Sequence, residues 1–138
     1  MINNKCDILL INPSYHRRSG SGVIPPIGLA YLSSFLSKNG FTSQVLDCSL
    51  YFDKLDNISL EQINSWLQKK LLSIQPRLAI GIGPCTTSAI RSIITIVDAC
   101  KKSHPNKPLI FGGPLTFIPD QEWVFFEKFS ASAVVKGE

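Results

Sequence analysis

Apolar residues recur along the chain in two alternating patterns. Short continuous apolar runs, typical of strands covered on both faces, predict five β-strands, at residues 6–12, 42–47, 78–83, 109–111 and 133–135. Between these runs, apolar positions three or four residues apart predict helices. The chain therefore alternates strand and helix from one end to the other.

Strands that alternate with helices require a parallel sheet, because each right-handed crossover lays its helix on a face of the sheet. The sequence therefore predicts an α/β fold, a flavodoxin/Rossmann-like three-layer sandwich with a five-stranded parallel sheet of order 2-1-3-4-5. The second strand is the less apolar of the long ones and is expected near an edge.

Local signals predict where each helix begins and ends. Pro26 suits the first position of a helix over residues 26–39, and Gly40 supplies a left-handed stop. Ser59 and Gln62 match a capping box for a helix that ends before residue 76, and Asp120 is expected to cap a short helix. Residues 48–58 are predicted to be loop. A further helix should end near residue 104 and bury the stripe Ile90, Ile93, Ile94, Val97 and Cys100.

Length and composition limit the classes of function. The 138 residues, 44% hydrophobic and 17% charged, suit one packed domain spanning 1–138. The net charge of +4 comes from scattered basic residues, so no nucleic acid partner is expected. No apolar run is long enough for a membrane span, and the N-terminus does not match a signal peptide, so a cytoplasmic location is expected. The four cysteines have no metal-ligand spacing and are expected to be free thiols.

Unusual residues follow four of the predicted strands. They are Asn12, Pro13 and Ser14 after strand one, Cys85, Thr86 and Thr87 after strand three, Gly112, Gly113 and Pro114 after strand four, and Gly137 after strand five. The carboxyl ends of parallel strands lie at one edge of the sheet, where such folds bind ligands. Glycine allows close backbone approach to a ligand, and threonine and serine offer hydroxyls. The same residues could also simply turn the chain.

Several common chemistries lack their motifs. No Gly-x-Gly-x-x-Gly follows strand one and no Gly-Lys-Ser/Thr is present, which argues against dinucleotide binding and nucleotide triphosphate hydrolysis. A phosphoacceptor receiver would need acidic residues where Asn12 and Gly83 stand. His16 could bind a metal, although a solvent-facing loop histidine is the simpler interpretation. His104 suits a helix terminus, and Cys85 is a candidate nucleophile or a small packing residue.

The ordered series ILLINPS, IPPIGLAYLSSFLSKNGF, VLDC, GIGPCTTSAI, LIFGGPLTFIP and AVVKGE resembles the N-terminal cobalamin (B12)-binding domain of B12-dependent radical S-adenosylmethionine (SAM) proteins. The resemblance runs from about Lys5 to the last residue. It implies that a corrinoid lies across the carboxyl edge of the sheet. Pro25 and Pro26 would then set where the first helix begins, and Gly28 would keep its first turn slim beside the macrocycle.

The resemblance implies that the ten residues named above, at the carboxyl ends of the strands, contact the corrinoid. It implies no catalytic residue in this chain. Other cobalamin modules carry Asp-x-His-x-x-Gly after strand one, whereas this chain has Ser14 in the Asp place and one extra residue before Gly20. A histidine ligand to cobalt is therefore not expected. The family's Cys-x-x-x-Cys-x-x-Cys set is missing from this sequence. The [4Fe-4S] cluster and S-adenosylmethionine are therefore expected only in a downstream radical SAM domain of a longer enzyme. That downstream domain would be the partner of the cobalamin-binding domain.

Large apolar residues cluster late in the chain, at Trp123, Val124, Phe125, Phe126 and Phe129. They exceed what one sheet-facing stripe needs, so the surplus could pack against another domain or support a homo-oligomer. Two other functions remain open for the same fold. One is a flavodoxin-like interaction domain without a cofactor, and the other is a flavin- or nucleotide-binding domain.

Overall fold

The structure is a computed structural model that describes residues 4–13, 25–52 and 59–136. Its sheet consists of β1 (Lys5–Asn12), β2 (Ser43–Asp47), β3 (Gln75–Ile82), β4 (Leu109–Gly112) and β5 (Ala133–Val135). All pairs are parallel and the spatial order is β2-β1-β3-β4-β5. The predicted fold class and strand order are confirmed, and β2 lies at an edge as expected.

Four α-helices connect the strands: α1 (Ile27–Lys38), α2 (Ser49–Phe52), α3 (Leu60–Ser73) and α4 (Ile90–Ser103). Single turns at Thr87–Ala89, Pro114–Phe117 and Val124–Lys128 complete the connections. In the described ranges, no helix has the length and apolar character needed to cross a membrane.

The predicted loop at 48–58 is wrong at its start, where α2 forms. The carboxylate of Asp47 accepts hydrogen bonds from the backbone N–H and the hydroxyl of Ser49, at 3.0 and 2.6 Å. A carboxylate in this position pairs a donor that a helix start leaves free, which stabilises the turn.

The predicted ends of α1, α3 and α4 are confirmed, with one shift at Pro26. Gly40 adopts φ +82°, and the N–H groups of Gly40 and Phe41 donate to Ser37 and Leu36, which is the Schellman arrangement. Ser59 and Gln62 form the predicted capping box. Pro26 lies one residue before α1, because its ψ of 74° is not helical.

The buried stripe of α4 differs from the prediction. Ile93, Val97 and Cys100 are buried as expected, but Ile90 and Ile94 are exposed. The buried positions Ala89, Ile93, Ile96, Val97 and Cys100 keep a spacing of three and four, and Ile90 and Ile94 are each one residue, about 100°, out of phase with that stripe. The sequence could not separate the two stripes because both are apolar.

Asp120 does not cap a helix. It has a φ of 58°, and the final helical turn begins at Val124, whose N–H donates to the Gln121 carbonyl. From this turn Phe125 and Phe129 reach the core, where their ring centroids lie 5.5 and 5.8 Å from that of Phe111. Trp123 and Phe126 stay about half exposed.

The main core lies between one face of the sheet and helices α3 and α4. Leu9 and Ile11 of β1, Ile80 and Ile82 of β3 and Phe111 of β4 contribute fully or almost fully buried side chains. Successive strand residues point to opposite faces, so the intervening positions face α1.

β3 begins earlier than predicted and contains a proline. Pro76 pairs with Cys6 of β1, next to an irregularity in the register between Cys6 and Ile8. A proline has no N–H for the ladder and is tolerated at such irregular positions.

Asp7 joins three elements at the amino edge of the sheet. Its carboxylate accepts hydrogen bonds from the Thr42 N–H (2.8 Å), the Thr42 hydroxyl (3.1 Å) and Arg77 Nε (2.8 Å). The Thr42 N–H is the main cause that holds the pKa of Asp7 below its ordinary value of 3.8, and Arg77 acts in the same direction.

We expect the stabilising effect of Asp7 to depend on pH. Because the pKa is lowered in the folded chain, the contribution is complete above about pH 4 and disappears as the pH falls and the carboxylate is protonated. Asp7→Asn should lower the free energy of unfolding at pH 7, with the difference from wild type shrinking between pH 4 and pH 2. Urea unfolding at several pH values measures this difference. Asp98→Asn, at an exposed site, is the control, and a pH-independent effect of Asp7→Asn would contradict the assignment.

Candidate functional site

The carboxyl ends of β1, β3 and β4 meet at one edge of the sheet, here called the rim. The Gly83 N–H donates to the Ile11 carbonyl (3.0 Å), and the Cys85 N–H donates to the Gly112 carbonyl (2.8 Å). Asn12, Cys85 and Gly112 therefore lie at the shared edge that the sequence predicts. Ser14 and Gly137, also predicted there, lie outside the described residues.

Asn12 is the last residue of β1 and is almost fully buried beside Pro13. Its Nδ2 donates to Asp47 Oδ1 at 2.7 Å, and the two groups of Ser49 donate to the same oxygen. Asn12 Oδ1 is buried and has no hydrogen-bond partner in the described part of the chain. An unpaired buried acceptor is costly, and such groups call for a physical explanation.

Cys85 is completely buried and offers no free polar group. Its Sγ–H contacts the Ile82 carbonyl at 3.4 Å, its N–H is bonded to Gly112, and its carbonyl accepts the Leu115 N–H. Burial raises the pKa of the Cys85 thiol to about 12. The thiol therefore stays protonated near neutral pH, which suits packing and not nucleophilic attack or metal binding.

Two glycines of the rim allow the loops after β3 and β4 to touch. Gly113 has a φ of +112°, and a Cβ there would collide with the Cys85 nitrogen and lie 2.8 Å from Pro84 Cα. A Cβ on Gly83 would lie 2.8 Å from the Gly112 carbonyl oxygen. The close approach that these glycines allow is thus between the loops after β3 and β4.

The exposed part of the rim is formed by Thr86, Thr87 and Pro114. Thr87 and Pro114 are exposed, and Thr86 is half-buried with its hydroxyl 3.1 Å from that of Ser88. Thr86 precedes the turn that leads into α4. At the amino end of α1, Gly28 is exposed, and a Cβ there would meet nothing within 4 Å. This surface offers hydroxyls and space at the same edge as Asn12.

Candidate ligands for a metal are not grouped in residues 4–13, 25–52 and 59–136, where no set of three His, Cys, Asp or Glu could hold an ion. All four cysteines are buried free thiols, as predicted. His104 ends α4, and its Nε2 lies 2.9 Å from the Leu71 carbonyl at the end of α3, so a contact at a helix end explains it. His16 lies outside the described residues.

Two open cavities lie at the opposite, amino edge of the sheet. One, of about 330 Å³, is lined by the segment from His104 to Leu109 together with Lys101, Ser130 and Ser132. The other, of about 540 Å³, surrounds Asp7, Thr42 and Arg77. In the second cavity, Asp7 is already paired with Thr42 and Arg77.

Three polar residues of the rim were not assigned to it from the sequence. Asp47 accepts a hydrogen bond from the Asn12 amide, and Ser49 donates to the same Asp47 oxygen. Thr116 is buried with its hydroxyl 2.7 Å from the Gly113 carbonyl and 3.0 Å from that of Val135. An aspartate two residues before a serine is a local capping signal that could have marked the first two. The contact of Thr116 with Val135 has no local sequence signal, because the two residues lie 19 positions apart.

Gly113→Ala should destabilise the fold by about 3 kcal/mol, because the new Cβ strains a left-handed φ and collides with the neighbouring loop. Gly28→Ala is the matched control and should stabilise by about 0.5 kcal/mol, since its site is open and helical. Urea unfolding of both variants tests the role of the loop contact. Equal stability of the two variants would contradict it.

Comparisons with protein-family models, with curated proteins and with solved structures gave no match to this chain. The geometry of the rim, together with the ordered sequence motifs that form it, is therefore the basis for a functional assignment.

Proposed function

We propose that this chain is a cytoplasmic cobalamin-binding module that holds a corrinoid against the rim for methyl transfer or related radical chemistry in a radical SAM enzyme. One observation carries the proposal. The sheet order β2-β1-β3-β4-β5 brings the motif-bearing ends of β1, β3 and β4 to a single edge. In doubly wound sheets, ligands bind at the carboxyl edge where the strand order reverses, here between β1 and β3.

The described residues fit a corrinoid by the kind of groups that they offer. A corrinoid carries carboxamide N–H donors around its edge, and the buried oxygen of Asn12 is an acceptor with no donor among the described residues. The Thr86 and Thr87 hydroxyls can donate to carboxamide oxygens or to the nucleotide tail. At the start of α1, Gly28 has no side chain that a flat macrocycle would have to clear.

Bound cobalamin would supply a cobalt centre able to carry a methyl group. The chain's own residues bind and orient the ring in this proposal and perform no bond cleavage. Cys85 is not a cobalt ligand in it, because burial keeps its thiol protonated. The radical chemistry, with its [4Fe-4S] cluster and S-adenosylmethionine, belongs to the proposed partner domain of the same enzyme.

We expect hydroxocobalamin to bind the chain saturably with one corrinoid per chain. Visible absorbance titration measures the change in the cobalt environment on binding, and isothermal titration calorimetry measures the heat of binding. Flavin mononucleotide, followed by its fluorescence, is the matched comparison for the flavin- or nucleotide-binding alternative. Saturable binding of flavin mononucleotide without binding of hydroxocobalamin would contradict the proposal, and binding of neither would favour the cofactor-free interaction domain.

Asn12→Leu tests whether the unpaired oxygen serves the ligand. Leucine has the same number and branching of side-chain heavy atoms as asparagine, and Asp47 keeps both hydrogen bonds from Ser49 but loses the one from Asn12 Nδ2. We expect the Kd for hydroxocobalamin to rise about 10-fold with the loss of one hydrogen bond. The free energy of unfolding should fall by about 1–2 kcal/mol, because the loss of the 2.7 Å hydrogen bond from Nδ2 to Asp47 outweighs the removal of the unpaired oxygen.

The control for stability is Thr116→Val, which removes a buried hydroxyl whose hydrogen is shared between the Gly113 and Val135 carbonyls. It should cost about 1–2 kcal/mol in urea unfolding, because the Val135 carbonyl loses a donor. A similar loss for Asn12→Leu, with an unchanged Kd, would identify Asn12 as a purely structural residue.

A further inference from the structure

Helix α1 presents a large apolar surface to solvent. Leu29 is its only buried residue, and Ser33 and Leu36 complete the half that faces the sheet. On the opposite side, Ile27 is 74%, Tyr31 73% and Phe35 56% exposed. No charged residue occurs from Ile27 to Ser37. A helix that is apolar on its outer side is normally covered by another element.

The exposed residues of α1 form a ridge with a groove beside it. Ile27, Tyr31 and Phe35 are spaced by four residues, so their side chains line up along one row of the helix surface. The neighbouring row contains Ala30 and Ser34, which are small and also exposed. A ridge of this spacing fits into the groove of an identical helix when the two axes cross at about −50°.

The part of the sheet that α1 does not cover also carries apolar residues on the same face. Leu109, Phe111 and Val134 pack toward the α3 and α4 core, so Ile110, Ala133 and Val135 face the side of α1. α1 itself packs on β1 and β2. Ala133 and Val135 are exposed. Parallel sheets ordinarily have both faces covered.

The size of this surface matches the apolar centre of a stable interface. The ridge of α1 with Leu32 exposes of the order of 500 Å² of side-chain area. A standard interface buries roughly 800 Å² per partner, about 60% of it apolar. The surface therefore supplies the apolar part of one full partner face.

We propose that two copies of this chain associate through the α1 ridge. A second copy fits because the ridge and groove are complementary to themselves under a two-fold axis near Tyr31. Each chain carries a net charge of +4, so two copies repel one another over most of their surface. The uncharged stretch from Ile27 to Ser37 is a place where they can meet without apposing like charges.

Sedimentation velocity over about 1–200 µM tests this interface, and we expect wild type to shift from monomer to dimer within that range. Tyr31→Glu and Phe35→Glu place a charge inside the contact and should each weaken association at least about 10-fold. Leu72→Glu is the matched control, because Leu72 is 63% exposed on α3, away from this surface, and the variant should dimerise as wild type does. Circular dichroism and urea unfolding verify that each variant is folded.

A cysteine at position 31 gives a second readout that does not rely on weakened binding. Tyr31→Cys should form an intermolecular disulfide under mild oxidation, since the two-fold axis brings the two copies of this position together. The four native thiols are buried and give little background. Wild type that stays monomeric throughout the range, or dimers that persist in Tyr31→Glu and Phe35→Glu, would overturn the proposal. So would equal loss of association in Leu72→Glu.

Discussion

The arrangement of the rim depends on two backbone hydrogen bonds between the loops after β3 and β4. The Cys85 N–H donates to Gly112 and the Leu115 N–H donates to Cys85, both at 2.8 Å. These bonds require the loops to touch, which only a residue without a Cβ permits at position 113. The contact joins the end of β4 to the segment that starts α4, so it also sets the position of Thr86 and Thr87.

The two edges of the sheet use polar side chains in different ways. At the amino edge, Asp7 accepts hydrogen bonds from Thr42 and Arg77, so that its charge is compensated. At the carboxyl edge, the Asn12 amide is held on one side by Asp47, while its oxygen has no partner among the described residues. Hydrogen bonding of all polar groups stabilises a fold. An unpaired acceptor lowers stability until a hydrogen-bond donor binds to it. This contrast supports the proposed position of the ligand at the carboxyl edge.

Sequence patterns predicted the parts of the fold that local chemistry determines. The alternation of apolar runs predicted five strands in their correct order, and Gly40, Ser59 and Gln62 marked helix ends because their signals act within one turn. The sequence did not show which side of α4 faces the core, since isoleucines occupy both its buried and its exposed side. The outer face of α1 was likewise hidden, because an apolar sequence does not say which side meets the sheet.

The rim was predictable as a location but not in its internal contacts. Parallel topology alone places Asn12, Cys85 and Gly112 at one edge. The bond between Asn12 and Asp47 spans 35 residues, and the collision that excludes a Cβ at Gly113 involves a loop almost 30 residues earlier. Such contacts arise only when the strands are assembled, so neither the role of Gly113 nor the burial of Cys85 could be derived from spacing.

The four buried thiols can report local opening of the fold at four separate positions. Cys6 lies in β1, Cys48 follows β2, Cys85 follows β3 and Cys100 lies in α4, and burial raises the pKa of each. Alkylating reagents attack the thiolate, so each sulfur reacts only while its surroundings are open to water. Labelling rates at the four positions would therefore compare how often the two halves of the sheet and the helical layer open, without any added probe.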